Sequence, residues 1–528
     1  MIRIRDISMA PAHSVSQLTF EAARLLRVSG SAVRQVKIVK RSIDARKKPD
    51  VKIRYTIDVK VDGNEEKILK RSGRKKAMIA PWFHYKVRRM SMPPERRPVI
   101  VGFGPAGMFA GLVLAMAGCR PLILERGEDA LSRQEKVASF WKTGELDPQC
   151  NVQFGEGGAG TFSDGKLNTG VNNPRIGWIL EQFVNSGARE EILYDAKPHI
   201  GTDVLVQVVQ AIRHQIESLG GEVRFRTQMT GVQIHDGAVC ALTLSDGSRI
   251  ETDHVILAIG HSARDTFEML LDAGVPMEAK PFSMGVRIEH HQKQIDAAQY
   301  GAANPLLPPA DYKLVSHLPD ATVYTFCMCP GGYVVAAASE QGGIVTNGMS
   351  NADREGENAN AALLVTVNPE DFPDPKDPLS GMRWQRQIEQ TAFAYTGSYR
   401  APAQRVGDFL AHRPSTGAGT VQPTYQPGVF WCDLHDIMPV YFTEALEQGI
   451  RELDGKLKGF ACDDAVLTAP ETRSSSPVRI LRDRSGMSEI RGLYPAGEGA
   501  GYAGGIMSAA LDGMAAAEAV LDGISSER

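Results

Sequence analysis

The chain has 528 residues, too many for one hydrophobic core, so two or three domains are expected. At 43% hydrophobic and 23% charged residues it has an ordinary globular composition, and its 52 glycines sit in short runs, which excludes a low-complexity tract. The net charge of -3 conceals an asymmetry: residues 1–98 hold 25 Lys and Arg against 9 Asp and Glu, leaving 34 against 53 for the remainder. That split suggests either a nucleic-acid partner or a basic module docked on an acidic body. Seven cysteines, an odd number with no signal peptide before them, fit a reducing cytoplasm better than a disulfide framework.

In chain order, residues 1–6 alternate like a strand, and Ser14 caps a helix running to Val28. Lys37–Ser42 and Val51–Val61 alternate as half-buried strands, which predicts a small βαββ module over residues 1–95. The run MPPERRP then reads as a linker. From Pro98 the pattern becomes strand–glycine–helix–strand. Glycines and two prolines interrupt the apolar run Val99–Leu124, so it is no membrane span. A helix near Asp203–Leu219 follows, with strands near Glu222–Arg226, Gly231–His235, Val239–Leu244 and Val255–Ala258. Residues 279–460 are irregular and richer in proline and aromatics, as an inserted α+β substrate domain would be. At Gly492 the strand–glycine–helix pattern returns. The expected fold class is α/β: a doubly wound, Rossmann-like dinucleotide-binding domain over 96–278 and 461–528, with the insertion and a small basic α+β amino-terminal domain.

The central motif is Gly102-Phe-Gly104-Pro105-Ala106-Gly107 after a strand, with Glu125 closing the next strand 23 residues beyond Gly102. The first glycine permits the turn, the second lets backbone approach a pyrophosphate, and the third lets helix pack on strand. Glu125 can accept hydrogen bonds from a ribose. Five glycines between Gly155 and Gly165, among them Gly157, Gly158 and Gly160 with Thr161, offer closely spaced amides. Arg133, leading into that loop, is placed to neutralise a phosphate.

The segment Gly492-Leu-Tyr-Pro-Ala-Gly497-Glu498, followed by Gly505, Ile506 and a helix, resembles the end of flavoproteins of the glutathione-reductase superfamily. The resemblance covers roughly residues 97–278 and 462–528 and implies FAD. It implies that Glu498 contacts the ribitol and that the helix from Ile506 points at the flavin pyrimidine, where reduced flavin gathers negative charge. It also implies cofactor contacts from Ala258 and Gly260, from the loop Gly157–Thr161, and from backbone at Met229. Glu498 departs from the aspartate usual there, which requires a slightly retracted backbone. At finer grain, ERG (with Arg126 beside Glu125), FGEGGAGTFSDGKL, AIGHSARDT, FCMCPGG and ETRSSSPVRI resemble an uncharacterised bacterial FAD-dependent dehydrogenase family over the whole chain.

These readings predict an FAD-dependent oxidoreductase that transfers a hydride between an organic small molecule and flavin N5. The alternative is a flavoprotein that binds or modifies RNA through its basic amino-terminal module. No second GxGxxG unit follows, so any NAD(P)H would have to dock in the substrate cleft. No metal-ligand spacing is evident among the twelve histidines. Catalytic candidates are weak: Lys166, Arg473, and Cys327 with Cys329, which as a strand pair would share a face but fit buried, inert thiols better. Arg287, His412, Arg413 and His435 are further candidates for the cleft.

Overall fold

Alternation of apolar and charged residues builds the amino-terminal sheet. The computed structural model describes residues 1–73, 75–81, 83–302 and 304–526. Its first elements are β1 (Ile2–Met9), α1 (Val15–Leu26), β2 (Val33–Asp44), β3 (Lys52–Val61), α2 (Glu65–Ser72) and β4 (Ala77–Ile79). The strands pair antiparallel in the order β2-β3-β1-β4, the ferredoxin-like βαββαβ arrangement. Ser14 and Gln17 form a capping box at α1. The expected βαββ unit lacked α2 and β4. Helix α2 is eight residues of EEKILKRS with only Ile68 and Ser72 buried, so it carries almost no periodic signal. The module is tied down along β2: Arg41 N–H donates to Tyr194 O at 2.7 Å, Ala196 N–H returns a bond to Arg41 O at 2.8 Å, and the Arg41 guanidinium holds Asp195 at 2.6 and 2.9 Å. Arg88–Asp522, Arg96–Asp253 and Arg97–Glu222 spend further positive charge on acidic residues elsewhere in the chain.

The next segment supplies β5 (Val99–Val101), α3 (Pro105–Met116), β6 (Leu122–Leu124), α4 (Ala130–Thr143), α5 (Ile176–Asn185), α6 (Thr202–Ser218) and β7 (Glu222–Arg224). A meander follows, β8 (Met229–His235), β9 (Ala238–Leu244) and β10 (Arg249–Glu251), then β11 (Val255–Leu257) and α7 (Arg264–Asp272). Strands β11, β5, β6 and β7 form an all-parallel sheet that the strand Leu493–Pro495 completes at the β11 edge. Each strand is short, and all but the edge strand β7 (Glu-Val-Arg) are apolar and buried on both faces, as the centre of a parallel sheet covered on both sides requires. Ile100, Ile123 and Ile256 face the layer of α3, α5, α6 and the carboxy-terminal helix. Val99, Val101, Leu122, Leu124, Val255 and Leu257 face the meander and α7.

The rest comprises β12 (Met277–Ala279), β13 (Phe282–His291), α8 (Gln292–Tyr300), β14 (Val315–His317), β15 (Thr322–Cys329), β16 (Tyr333–Ala336), β17 (Thr346–Met349) and β18 (Asn358–Val367). Then come α9 (Ser380–Thr396), β19 (Ala401–Arg405), α10 (Val406–Leu410), β20 (Val429–Trp431), α11 (Val440–Asp454), β21 (Val466–Glu471), β22 (Val478–Ile480), β23 (Leu493–Pro495) and α12 (Ile506–Ser526). A seven-stranded mixed sheet runs β14-β15-β18-β13-β21-β19-β20. Strand β21 lies inside it, between β13 and β19, so this sheet extends to Glu471 and the expected boundary at 460 falls short. The sequence marks β21 only as a short apolar run, and strand pairing across 180 residues is invisible to local pattern. Among the described residues no helix is long and apolar enough to cross a membrane.

Candidate functional site

The site is built where loops leave the carboxyl ends of the parallel strands, the place where open α/β sheets put their ligands. Gly102 leaves β5 with φ +98°, and a side chain there would stand 2.3 Å from Ala258 O. A side chain on Gly107 would stand 1.9 Å from Gly102 O, so the start of α3 lies directly on the turn. Gly104 differs. Its backbone is extended (φ -77°, ψ -174°), and the nearest atom to a side chain there is Gly158 Cα at 3.7 Å. Nothing in the chain itself demands glycine at 104. No side chain caps α3 and Pro105 occupies its first turn, so its amino-terminal dipole faces an uncapped end suited to an anion.

The structure gathers the remaining sequence-predicted residues around that end. Gly158 faces Gly104 and Pro105, and Gly160 abuts Pro105 and Ile506. Thr161 is buried, with its hydroxyl donating to Glu156 O at 3.2 Å. Gly497 lies against the Ala106 methyl, and Gly499 against the Gly260 carbonyl, so the two turns after β11 and β23 touch. Side chains placed at Gly260 and Gly505 would meet open space. Ala258 continues the β11 pairing by donating to Val101 O at 2.8 Å. Glu498 is partly buried, with its carboxylate 3.4 Å from His261 Nδ1. Met229 opens β8 with its side chain in the core beneath the sheet, so only its backbone is available to a ligand.

Glu125 binds three loops before any ligand. Its oxygens accept from Phe103 N, Gly127 N and Gly155 N, each at 2.9 Å. These three bonds leave one lone-pair site on Oε2 unused. Arg126 stacks over Phe154 at 4.4 Å and donates to Asp265 at 2.9 and 3.0 Å.

Two expectations are corrected. Arg133 is fully buried and donates to the carbonyls of Asn151, Val152, Gly155, Glu156 and Gly158 at 2.7–3.3 Å. It braces the glycine-rich loop from behind and, fully buried, is out of reach of a phosphate. Burial brings its guanidinium down to about 10, with Glu125 opposing, so it stays charged at neutral pH. Arg473 is likewise spent: it donates to Glu389 at 2.9 and 3.1 Å and to Ser339, in a buried network with Arg264.

The glycine-rich loop runs on into Asp164 and Lys166, which reach the seven-stranded sheet. Lys166 Nζ donates to Met328 O and lies 3.2 Å from Asp164 Oδ2. Asp164 also accepts from Ser350 and from Arg354, whose Nε stands at 3.0 Å. Burial alone would raise Asp164, but Lys166 and Arg354 hold it at about 2. Burial would lower Lys166, and Asp164 outweighs it, so the ammonium stays charged. Sequence reading missed Asp164 and Arg354, which are 190 residues apart and joined only by tertiary structure.

Beside this pair the β15–β18 register breaks between Phe326 and Cys329. The bulge gives Cys327 a left-handed φ of 42° and separates the two thiols: Cys327 is exposed and Cys329 is buried. They therefore do not form the buried, same-face pair expected. Although the residue presents surface to solvent, the groups packed around its sulfur desolvate the thiol and push it up to about 11, against the pull of Lys166. Behind the bulge, fully buried Arg287 donates to Cys327 O at 3.0 Å and pairs with Glu471 at 2.8 Å.

A glycine cradle on the carboxyl end of a parallel sheet, flanked by two helix amino termini, is the arrangement of a nucleotide-binding protein. Residues 281–474 match the family described as "FAD-dependent protein, C-terminal domain-like", and residues 1–60 match a domain of unknown function. FAD is the cofactor of this protein. The chain belongs to one family with an "Uncharacterized protein" of Clostridium beijerinckii, to which it is 46% identical over 528 residues, 99% of this chain and 98% of the other. Solved structures that resemble it more remotely include L-proline dehydrogenase from P. horikoshii, at 12% identity and a TM-score of 0.36 over 82% of this chain and 95% of that one. E. coli quinol fumarate reductase FrdA gives 11% identity and a TM-score of 0.35 over 83% and 72%.

Proposed function

We propose that this protein is an FAD-dependent oxidoreductase acting on an organic small molecule at the junction of the glycine-rich loop and the seven-stranded sheet. One observation carries the reading: the loop that faces Gly104 and Ile506 continues within a few residues into a charged, largely buried Lys166–Asp164–Arg354 cluster. We also propose, following the resemblance to the glutathione-reductase superfamily, that the pyrophosphate rests on Gly104–Gly107 at the start of α3. Glu125 then takes the adenosine ribose, Glu498 the ribitol, and the amino terminus of α12 at Ile506 the pyrimidine ring.

When bound, FAD supplies a position, N5, that accepts or gives a hydride. The protein supplies placement and charge. Lys166 keeps a proton on Nζ, held there by Asp164, and presents a cation to a carboxylate or carbonyl oxygen of the substrate. Arg354 and Ser350 fix Asp164 in turn, so the ammonium is positioned before substrate arrives. The glycine-rich loop, braced by Arg133, keeps water from the reacting face.

The test is anaerobic mixing of the purified holoprotein with panels of carboxylic and carbonyl-bearing metabolites, reading bleaching of the flavin's visible band. Any substrate found should be handled more than about 100-fold more slowly by Lys166→Met with FAD content unchanged, the loss of one charge-assisted contact at about 3 kcal/mol. Equal rates in wild type and Lys166→Met would refute the placement of the site.

A further inference from the structure

We propose that His412, His435 and Glu447 form a binding site for a divalent metal ion of the zinc class. The three come from separate elements at one edge of the seven-stranded sheet. His412 follows α10, His435 lies in the turn after β20, and Glu447 is on α11. Their spacing in sequence, 23 and 12 residues, matches no linear metal motif, so His412 and His435 stand out in the sequence only as separate cleft candidates and nothing there groups them with Glu447.

The donor atoms converge. His412 Nε2 and His435 Nε2 each lie 3.1 Å from the same oxygen, Glu447 Oε1. All three ligand atoms lie within 4.8 Å of one another. Two ligands held about 2.0–2.2 Å from a tetrahedral zinc ion are themselves about 3.3 Å apart, so the set is close to coordinating distance. Two imidazoles and one carboxylate suit zinc and its borderline neighbours; magnesium and calcium prefer oxygen ligands throughout.

The surroundings orient the ligands as metal sites require. His435 Nδ1 stands 2.6 Å from Asp433 Oδ1, which orients the ring so that Nε2 faces Glu447 Oε1 at 3.1 Å. Asp433 is itself positioned by the His435 N–H at 3.0 Å and by Gln404 Nε2 at 3.3 Å. The His435 ring is pinned by stacking on Phe409 at 4.6 Å, and His412 stacks on its other side at 4.5 Å. His412 reaches that position through a left-handed backbone, φ 49°. Arg451 takes the other Glu447 oxygen at 3.3 Å, leaving Oε1 to the histidines. His412 is 63% exposed and Glu447 only 12%, so the fourth coordination position opens to solvent on the His412 side and suits a water molecule. Aiming both lone pairs at one ion requires the exposed His412 ring, now stacked 25° from the His435 plane, to swing off that stacking contact.

The experiment uses full-length holoprotein stripped with a chelator and dialysed against ZnCl2, with zinc per chain read by elemental mass spectrometry. About one zinc per chain is expected, with a rise in melting temperature that depends on zinc concentration. Asp433→Asn should weaken zinc binding about 10- to 100-fold while leaving the flavin spectrum unchanged. His412→Ala, an exposed substitution that leaves the core intact, should abolish stoichiometric binding. No stoichiometric zinc in wild type, or equal zinc in wild type and His412→Ala, overturns the proposal.

Discussion

Replacing Gly104 by alanine separates what the fold needs from what the cofactor needs. The backbone at 104 is extended and the new methyl would have its nearest neighbour 3.7 Å away, an ordinary contact, so the protein without FAD should fold unchanged. Restricting the unfolded chain contributes at most about 1 kcal/mol in favour of the variant, a shift of about one degree in melting temperature for a chain of this length. With FAD the balance reverses. The methyl occupies the space in which a phosphate would meet the amides of α3, and losing about two charge-assisted bonds costs roughly 3–6 kcal/mol. That is about a 100- to 10,000-fold loss of affinity. Gly107→Ala is the control, because its methyl would stand 1.9 Å from Gly102 O and must disturb the fold itself. The assay pairs thermal melting of the FAD-free proteins with titration of FAD fluorescence. FAD binding by Gly104→Ala at wild-type affinity would refute the reasoning, and so would apo-destabilisation matching Gly107→Ala.

Arg133→Met should lower the melting temperature through loss of about 3–5 kcal/mol, since it leaves the buried Asn151 and Val152 carbonyls without a donor and takes one donor from those of Gly155, Glu156 and Gly158; hydrogen exchange should speed up across residues 151–158. A variant melting within about two degrees of wild type would contradict the bracing role. Asp164 sits at about 2 in the folded chain, below its usual value, so its ion pairs stabilise above about pH 4 and that contribution is lost as pH falls toward 2. Asp164→Asn should therefore be less stable at pH 7 and show a flatter melting profile between pH 5 and 3; a parallel profile would count against it. Cys327, exposed but with its thiol at about 11, should react slowly with iodoacetamide at neutral pH and about tenfold faster per pH unit above it. Rapid labelling of Cys327 at pH 7, mapped by mass spectrometry, would show an activated thiol.

What the sequence determined by itself was local and periodic. The Gly102–Gly107 turn, the apolar strands on either side of it, the Ser14 cap and the helix from Ile506 were all legible, because glycine tolerance, alternation and capping act over a few residues. The cofactor followed from those signals and from the carboxy-terminal segment that resembled known flavoproteins. The fates of the charged side chains were settled only by tertiary structure. Arg133 and Arg473 look identical in sequence to anion-binding arginines, yet burial and nearby acceptors consume both. Asp164 with Arg354, and His412 with His435 and Glu447, meet only because loops and helix ends from distant parts of the chain converge. Strand β21 joined the larger sheet for the same reason: backbone pairing recognises extended geometry and register, and neither is written in composition. A charged group's role depends on what desolvates and faces it, and that is a property of the folded chain.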